Sequence, residues 1–353
     1  MLPSINLFSN LILPLIFSSI TTWFCILILG KVAAIFNLID KPDIRKNHIG
    51  NVPLIGGIAM FFGVAVGIIV SDYEFNQYLY FFLGSLIIVS MGVVDDQKNI
   101  SIFFRITIQF IVATVIVVYG GNIILSLGNL LGTGSINIVQ WTYIAYLLSI
   151  VAIITGMNSV NMTDGMHGLA GGNSLITFVG MAFLANGNLF AADYLILLLF
   201  CAVLPVFLIH NLCIGVDKSK RIFMGDGGSM FIGFSIAWFL INLSQGEDRS
   251  FAPVTALWLF GVPLMEITTI FFRRLVSGKS PFQADLNHTH HLLLGLGFDS
   301  KRTLLIILLV SLLMALIGIL GEIFNVQEKF MFYGFLFVFL MYSFFYKVSI
   351  NLN

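Results

Sequence analysis

The sequence YLILLLFCAVLPVFLI, residues 194–209, contains no charged side chain, and with its flanks it is long enough to cross the hydrocarbon core of a bilayer as a helix. Similar apolar runs recur from one end of the chain to the other. Of the 353 residues, 58% are hydrophobic and only 10% are charged, and the mean hydropathy is +1.00. A soluble protein of this length could not bury so much apolar surface. The composition therefore predicts an integral membrane protein.

Backbone polar groups inside a bilayer must be satisfied within the protein, so helical bundles and closed barrels are the folds that cross it. The alternating, strand-length segments of a barrel are absent from this sequence. We therefore predict an all-α, polytopic bundle of about eleven transmembrane helices that forms a single domain over residues 1–353. The predicted spans lie near residues 11–34, 54–70, 78–94, 102–119, 140–157, 169–186, 189–209, 229–243, 252–271, 303–321 and 330–347. The segment near 121–138 is apolar but rich in Gly and Asn, and we predict a loop or a re-entrant piece there.

The basic residues fall almost entirely on one side of these spans. Of the 17 Lys and Arg residues, only Arg249 and Lys329 lie on the other side. Because cytoplasmic loops carry the excess of Lys and Arg, this bias predicts an N-terminus outside and a cytoplasmic C-terminus. The predicted cytoplasmic loops then lie near residues 35–53, 95–101, 158–168, 210–228 and 272–302. The formal net charge of +0 gives no indication of a nucleic-acid partner.

Four polar clusters interrupt the apolar chain, and all of them fall in these predicted cytoplasmic loops. They are VDDQ at 94–97, NSVNMTDG at 158–165, FMGDGGS at 223–229 and HTHH at 288–291. If the loops meet, the clusters form one acidic, His-flanked, glycine-rich site at the membrane surface. Such a site is suited to a metal ion and a phosphorylated substrate.

Each acidic cluster also has a simpler interpretation. Asp95 and Asp96 form either a metal site or general base, or only a solvated helix end. Asp164 lies among Asn and Gly residues that can bind an anion, but the same residues are common in ordinary turns. Asp226 precedes a predicted span, where phosphate and metal are favoured, and where Asp is also a common N-cap.

The remaining polar positions allow two interpretations as well. The histidines at 288, 290 and 291 have no nearby Cys and no zinc-binding pattern, so a zinc site is not predicted. They are either hydrogen-bond donors to a diphosphate or sugar, or interfacial residues without a ligand. Lys41, Arg45 and Lys46 contribute to the topology and could also hold an anionic lipid headgroup. Glu266 lies within a predicted span, where a carboxylate is either functional or hydrogen-bonded for structure.

Taken in order, these motifs resemble the polyprenyl-phosphate N-acetylhexosamine-1-phosphate transferases, which form glycosyltransferase family 4. No single motif is decisive, but the ordered set is specific and runs over nearly the whole chain. The matching stretches are residues 40–46, 53–57, 95–96, 158–172, 223–229, 252–258, 280–282 and 288–292. The His-x-His-His form resembles the branch that uses UDP-N-acetylglucosamine, whereas the branch that uses UDP-MurNAc-pentapeptide carries an uninterrupted His triplet.

The resemblance implies a multi-pass protein of the bacterial inner membrane whose active site faces the cytoplasm. The implied reaction transfers N-acetylglucosamine 1-phosphate from UDP-N-acetylglucosamine to undecaprenyl phosphate and releases UMP. It would initiate a cell-surface polysaccharide of the O-antigen, common-antigen or teichoic-acid type. The implied cofactor is Mg²⁺, with Mn²⁺ as a substitute, and the resemblance is compatible with a homo-oligomer and gives no nucleic-acid partner.

Two alternatives stay open. The donor could be another UDP-N-acetylhexosamine or UDP-MurNAc-pentapeptide, with the same chemistry. A membrane transporter is the alternative from a different class, because carboxylates in membranes often mark ion pathways. Against a transporter, the acids lie at span ends on one face and not at the bilayer midplane.

The resemblance also implies roles for single residues. Asp226 corresponds to the main magnesium ligand, Asp164 to a catalytic or metal-side carboxylate, and Asp95 and Asp96 to the pair that meets the lipid phosphate, with Asp95 as the preferred base. Lys41, Arg45 and Lys46 correspond to lipid-phosphate contacts. The implied contacts to the nucleotide sugar are Asn158, Asn161, His167, Asn211, Phe223 (as the aromatic ring that stacks on uracil), Arg274, His288, His290 and His291.

One position departs from the family pattern. Where the family has Asp-Gly-x-Asp-Gly, this chain has Asp164 followed by Gly, Met, His167 and Gly. Magnesium prefers oxygen ligands, so His167 is a poor replacement if that position binds the metal. We interpret the position as a substrate contact that tolerates imidazole.

Overall fold

The computed structural model describes residues 11–40, 51–71, 78–185, 192–278, 280 and 288–352. Lys41, Arg45 and Lys46, the predicted lipid-phosphate contacts, lie outside the described residues. A two-residue strand, β1 (Ile39–Asp40), pairs antiparallel with β2 (Val52–Pro53). All other regular structure in the described residues is helical. The α-helices are α1 (Leu13–Val32), α2 (Gly56–Val70), α3 (Leu79–Lys98), α4 (Ile102–Val118), α5 (Thr142–Thr163), α6 (Leu169–Leu184), α7 (Ala192–Asn211), α8 (Gly225–Ser244), α9 (Pro253–Leu259), α10 (Gly261–Val276), α11 (Thr289–Gly295), α12 (Ser300–Ile323) and α13 (Glu328–Leu352).

Seven of these helices are long and apolar enough to cross a membrane, namely α1, α3, α5, α7, α8, α12 and α13. The bent pair α9 and α10 makes an eighth candidate, and α2, α4 and α6 are apolar but shorter. Every predicted span overlaps one of these helices or the bent pair. The prediction of an all-α fold with many membrane-length helices is therefore confirmed, while eleven crossings and their orientation stay predictions.

The predicted boundaries are wrong at the helix ends that carry the polar clusters. Helix α3 continues through Asp95 and Asp96, and α5 continues through Asn158 and Asn161. Helix α8 begins at Gly225, before the predicted start of its span. Hydropathy marks only the apolar part of a helix, and polar side chains are compatible with its last turns. These polar residues therefore lie in the terminal turns of helices and not in the loops between them.

The span predicted near 252–271 is not one continuous helix. Helices α9 and α10 meet at Phe260 with an 85° bend. Pro263 has no backbone N–H to donate to the carbonyl of Leu259, so the helical ladder is interrupted there. The carbonyl of Leu259 instead accepts a hydrogen bond from Thr177 Oγ1 at 2.9 Å. The segment near 121–138 contains no helix, as predicted for a loop.

Helix α8 lies at the centre of the bundle, and nearly all of its residues are buried. Helices α2, α3 and α5 pack against it through glycines. A Cβ on Gly92 would lie 2.1 Å from the Cα of Gly227, and a Cβ on Gly57 would lie 2.1 Å from the Cα of Gly228. Because backbone atoms cannot move out of the way, no larger residue fits at these crossings.

The chain that enters α2 and the chain that enters α8 are joined by backbone hydrogen bonds. The N–H of Phe223 donates to the carbonyl of Pro53 at 2.8 Å. The N–H groups of Gly56 and Gly57 donate to the carbonyls of Phe223 and Met224, each at 2.9 Å. Strand β2, with β1 paired to it, therefore lies beside the segment that leads into α8.

Candidate functional site

The polar clusters meet at one end of the bundle. The C-terminal ends of α3 and α5 lie beside the N-terminal ends of α4 and α8, and α11 adjoins the turn that follows α5. Four acidic residues come together there, and we call them the carboxylate cluster: Asp95, Asp96, Asp164 and Asp226. The carboxylate cluster thus joins acidic residues from three of the four polar clusters in the sequence.

The carboxylate of Asp96 binds the start of α8. Its Oδ1 and Oδ2 lie 3.0 and 3.1 Å from the backbone nitrogen of Asp226, which donates its hydrogen to them. A negative charge at a helix N-terminus is favourable, so Asp96 caps α8 from a different helix. Gly225 makes room for this contact, since it has a φ of +74° and a Cβ there would lie 2.6 Å from Asp96 Oδ2.

The side chain of Asp226 is held in one orientation by hydrogen bonding, yet its carboxylate stays accessible to solvent. Its Oδ1 accepts a hydrogen bond of 2.8 Å from Asn161, whose amide also donates to Ser229 at 3.0 Å. Its Oδ2 lies 3.9 Å from the guanidinium of Arg105. With 38% of its side chain exposed, against 6% for Asp95, Asp226 has a carboxylate that a ligand can reach.

Asp95 is held by two donors. Its Oδ1 accepts from the backbone N–H of Ile100 at 3.0 Å, and its Oδ2 accepts from Arg105 Nη1 at 3.2 Å. Arg105 stands in the first turn of α4, whose N-cap is Ser101. Arg105 thus bridges Asp95 and Asp226. In the sequence Arg105 contributes only to the charge bias, although a helix cap four residues before an Arg, close after two carboxylates, is a signal for such a role.

Asp164 stands at the C-cap of α5. Burial raises the pKa of its carboxyl well above the usual value, and the neighbouring carboxylates of Asp226 and Asp96 raise it further. The arrangement concentrates negative charge that Arg105 only partly offsets. A divalent cation would relieve this repulsion.

The donor chemistry fits magnesium. In the part of the chain that the structure describes, no group of three or more His, Cys, Asp or Glu side chains forms a full ligand set. Mg²⁺, however, usually takes one or two carboxylates and completes its shell with water and substrate phosphates. Asp226 and Asp164 supply two such carboxylates, so the residues present are compatible with that ion.

His167 lies against the predicted uracil-stacking residue. Its ring stacks on that of Phe223, with centroids 5.1 Å apart and planes at 27°. Arg221 Nη1 lies 3.2 Å from His167 Nε2. Because a guanidinium can only donate, Nε2 must be the acceptor and carries no proton. His167 is thus part of an aromatic wall with Phe223. Arg221, which in the sequence contributes only to the charge bias, holds His167 in that wall.

Two of the predicted nucleotide contacts hold the walls of the site. Asn211 is buried and accepts from the N–H of Gly168 at 2.6 Å, while its amide donates to the carbonyl of Ile222 at 2.9 Å. The amide of Asn158 donates to Gln109 at 2.7 Å and to the carbonyl one turn before it at 2.8 Å. Their direct contact with a nucleotide stays a prediction.

The three histidines of α11 and its N-cap form a group of rings. The centroids of His288 and His290 are 5.7 Å apart, and those of His290 and His291 are 4.2 Å apart. His290 is buried, and neither ring nitrogen has a hydrogen-bond partner among the described residues. A Cβ on Gly165 would lie 2.5 Å from His290 Nε2, so this ring borders the turn after Asp164.

The environment keeps His290 neutral. Burial, followed by the neighbouring His291 and His288, lowers its pKa to about 3. A neutral imidazole with unused nitrogens beside Asp164 can accept or donate one hydrogen bond to a substrate. Arg274, another predicted contact, is buried in the last turn of α10.

The model of the family described as "Glycosyl transferase family 4" matches residues 78–244, which include the whole carboxylate cluster. The undecaprenyl-phosphate alpha-N-acetylglucosaminyl 1-phosphate transferase of Escherichia coli O157:H7 is 36% identical over 317 residues, which cover 89% of this chain and 85% of that protein. Proteins with the same name from Yersinia pestis and Haemophilus influenzae are 34% and 35% identical over 320 residues. These alignments cover 89% and 90% of this chain, and 85% and 88% of the relatives.

Proposed function

The chain belongs to glycosyl transferase family 4, and from this we propose that it transfers N-acetylglucosamine 1-phosphate from UDP-N-acetylglucosamine to undecaprenyl phosphate. The products are UMP and a lipid diphospho-sugar that can start a cell-surface polysaccharide. The names of the aligned relatives contain both undecaprenyl phosphate and N-acetylglucosaminyl 1-phosphate, which supports this acceptor and this transferred group. The structural observation that carries the proposal is Asp226, an oriented and accessible carboxylate at the N-terminus of the central helix.

Asp226 and Asp164 are the residues that would hold Mg²⁺, for which Mn²⁺ could substitute. When bound, the ion would neutralise negative charge on the diphosphate and on the leaving UMP. Asn161 fixes the orientation of the Asp226 carboxylate through its 2.8 Å hydrogen bond. Asp96 holds the same residue by its backbone. The protein therefore contributes a carboxylate that is in place before any substrate arrives.

The reaction itself requires little proton transfer. An oxygen of the lipid phosphate attacks the β-phosphorus of the nucleotide sugar, and the bond from that phosphorus to the UMP oxygen breaks. One phosphoanhydride is made and one is broken, so the reaction is near balance and reversible. A phosphate monoester is already largely ionised at neutral pH. Asp95, whose two oxygens are engaged by Ile100 and Arg105, then orients the lipid phosphate through Arg105 rather than removing a proton.

Arg105 supports the same step by its charge. It lies between two carboxylates, and its Nε is buried with no hydrogen-bond partner in the described chain. A guanidinium donor at this point is suited to a phosphoryl oxygen. On the nucleotide side, Phe223 offers its ring face to uracil, with His167 stacked beside it. His290 provides a neutral hydrogen-bonding group for the diphosphate or the amino sugar.

We place this site on the cytoplasmic side of the bacterial inner membrane. The support is the charge bias, because Arg249 and Lys329, the two exceptions to it, lie at the other end of the bundle, where Arg249 pairs with Glu328 at 3.0 Å. A cytoplasmic site would give direct access to a nucleotide sugar. Undecaprenyl phosphate would enter the site from the adjoining leaflet of the bilayer.

The test is product analysis with the purified protein in detergent. UDP-N-acetylglucosamine, undecaprenyl phosphate and Mg²⁺ should give UMP and a lipid whose mass equals undecaprenyl diphosphate plus N-acetylglucosamine. Competition by unlabelled sugar nucleotides separates this donor from other UDP-N-acetylhexosamines and from UDP-MurNAc-pentapeptide. Ion-driven uptake into proteoliposomes without UMP release would instead support a transporter.

A further inference from the structure

Glu266 is a buried carboxylate that the proposed reaction does not use. It lies in α10 with 2% of its surface exposed. Its Oε1 lies 3.2 Å from the backbone nitrogen of Thr289 and 3.2 Å from Nδ1 of His288. A carboxylate is costly to bury without donors, so these two contacts explain how Glu266 is tolerated inside the bundle.

The same contacts hold α11 in place. His288 is the N-cap of that helix, but its own side chain makes no cap hydrogen bond. Glu266 replaces the missing cap from another helix by accepting the first N–H of α11. On the other side, the hydroxyl groups of Thr289 and Tyr342 are hydrogen-bonded, which ties α11 to α13. Helix α11 is therefore fixed between α10 and α13.

The pairing also determines how His288 carries its proton. Because the Glu266 oxygen is an acceptor, Nδ1 of a neutral His288 must carry the hydrogen, and Nε2 is then left as an acceptor. The ring of His288 is nearly parallel to that of His290, at 16°. His290 in turn borders Gly165, next to Asp164. His288 therefore packs against the ring that borders the turn after Asp164.

We infer that Glu266 is the positioning residue of the histidine group: it anchors α11 and fixes the Nδ1–H tautomer of His288, so that this group meets the nucleotide sugar in one geometry. The effect on catalysis rests on the proposed function, because it requires the histidines to contact that substrate. The effect on tautomer and orientation does not depend on the reaction.

The kinetic test compares Glu266→Gln with Glu322→Gln. Glu322 is a matched control, since it also accepts a backbone N–H, from Ala252 at 3.1 Å, and a second hydrogen bond, from Thr255 at 2.6 Å, but in the last turn of α12 at the other end of the bundle. Glu266→Gln should lower kcat/KM for UDP-N-acetylglucosamine by about ten- to a hundredfold, the scale found when a metal-bound histidine loses its carboxylate partner. Glu322→Gln should stay within about twofold of the unmodified protein. Equal values for the two variants would overturn the inference.

The spectroscopic test is independent of turnover. The six histidines are labelled with ¹⁵N, and the His288 signals are assigned by their loss in His288→Asn. At about pH 8, where a free histidine is neutral, His288 should show hydrogen on Nδ1, and Glu266→Gln or Glu266→Leu should weaken that preference. Hydrogen on Nε2 in the unmodified protein, or an unchanged spectrum in both variants, would refute the positioning role. Absence of lipid product from the unmodified protein would count against the proposed function alone.

Discussion

The backbone N–H of Asp226 is bound by both oxygens of the Asp96 carboxylate, so the last turn of α3 caps the first turn of α8. Two acidic residues that are far apart in the sequence therefore form one structural unit. Asp96 thus has a structural role at the start of α8, beside the catalytic role that stays a prediction. The two roles can be separated by substitution.

Asp96→Ala should lower the free energy of unfolding by about 1–3 kcal/mol, because it leaves the Asp226 N–H without an acceptor. Asp96→Asn keeps an oxygen acceptor and should recover most of that stability while activity stays low. Thermal unfolding in detergent, followed together with UMP release, distinguishes the two effects. Identical midpoints for the two variants would show that the cap contributes nothing.

Asp226→Asn should reduce magnesium-dependent UMP release by roughly a hundred- to a thousandfold, the scale of losing one preorganised electrostatic contact. Asp217→Asn is the control, because Asp217 is exposed and only accepts a local N–H from Ser219. The measurement is a titration of activity with Mg²⁺ in both variants. Full activity of Asp226→Asn would exclude it as the metal-side residue.

His167→Ala should weaken UMP binding by roughly two- to tenfold, in line with the loss of one aromatic stacking contact. The reason is that His167 supports the Phe223 ring and is itself held by Arg221. In a Phe223→Leu background the same change should have a smaller effect, because the shared wall is already lost. Calorimetric titration with UMP gives both values, and additive losses would argue against a shared wall.

The neutral state of His290 predicts a pH dependence of stability. Its pKa is about 3 in the folded protein, against the ordinary 6.5. Between these pH values the unfolded chain binds a proton at this histidine and the folded protein does not. The contribution of His290 to the free energy of unfolding therefore falls as the pH is lowered. From about pH 7 to about pH 5 the loss is about 2 kcal/mol. The thermal midpoint of His290→Gln should therefore fall less on acidification than that of the unmodified protein. An equal fall in both proteins would contradict the neutral state of His290.

Gly92→Ala should prevent correct packing of α3 on α8, since the added Cβ would meet backbone atoms of Gly227 at 2.1 Å. We expect a loss of several kcal/mol or failure to obtain folded protein, as for other overpacked interior positions. Gly30→Ala is the control, because a Cβ there has only an ordinary 3.9 Å contact with Ile55. It should be neutral or slightly stabilising in its helix, which size-exclusion profiles and thermal midpoints will show.

Much of the architecture was predictable from composition and charge. Apolar runs identified the helices, and the polar clusters between them were expected to meet. The helix ends were misplaced because Asp95, Asn161 and Asp226 are polar residues inside regular helix. The bend at Phe260 depends on Pro263 and on a hydrogen bond that Thr177 donates to the carbonyl of Leu259. That second contact joins distant parts of the chain, and no local pattern reveals it.

The acidic residues of the site could be predicted from the sequence, whereas the roles of its basic residues could not. Arg105 and Arg221 were interpreted only as topological charges, because the contacts that give them a role join different helices or loops. The same holds for Asn158 and Asn211, whose residue type suggested a ligand contact but whose amides bind the protein itself. Residue type shows what chemistry is available, whereas the partner depends on the packing of helices.

The backbone bonds between the chain entering α2 and the chain entering α8 have a consequence for regulation. Moving the start of α8 as a unit would break the bonds from Gly56 and Gly57 to residues 223 and 224, as well as the bond from the Asp226 N–H to Asp96. The backbone position of Asp226 is therefore set by α2 and α3 together. Because displacing the acidic centre would cost all of these hydrogen bonds, we expect control to act on the supply or entry of the two substrates.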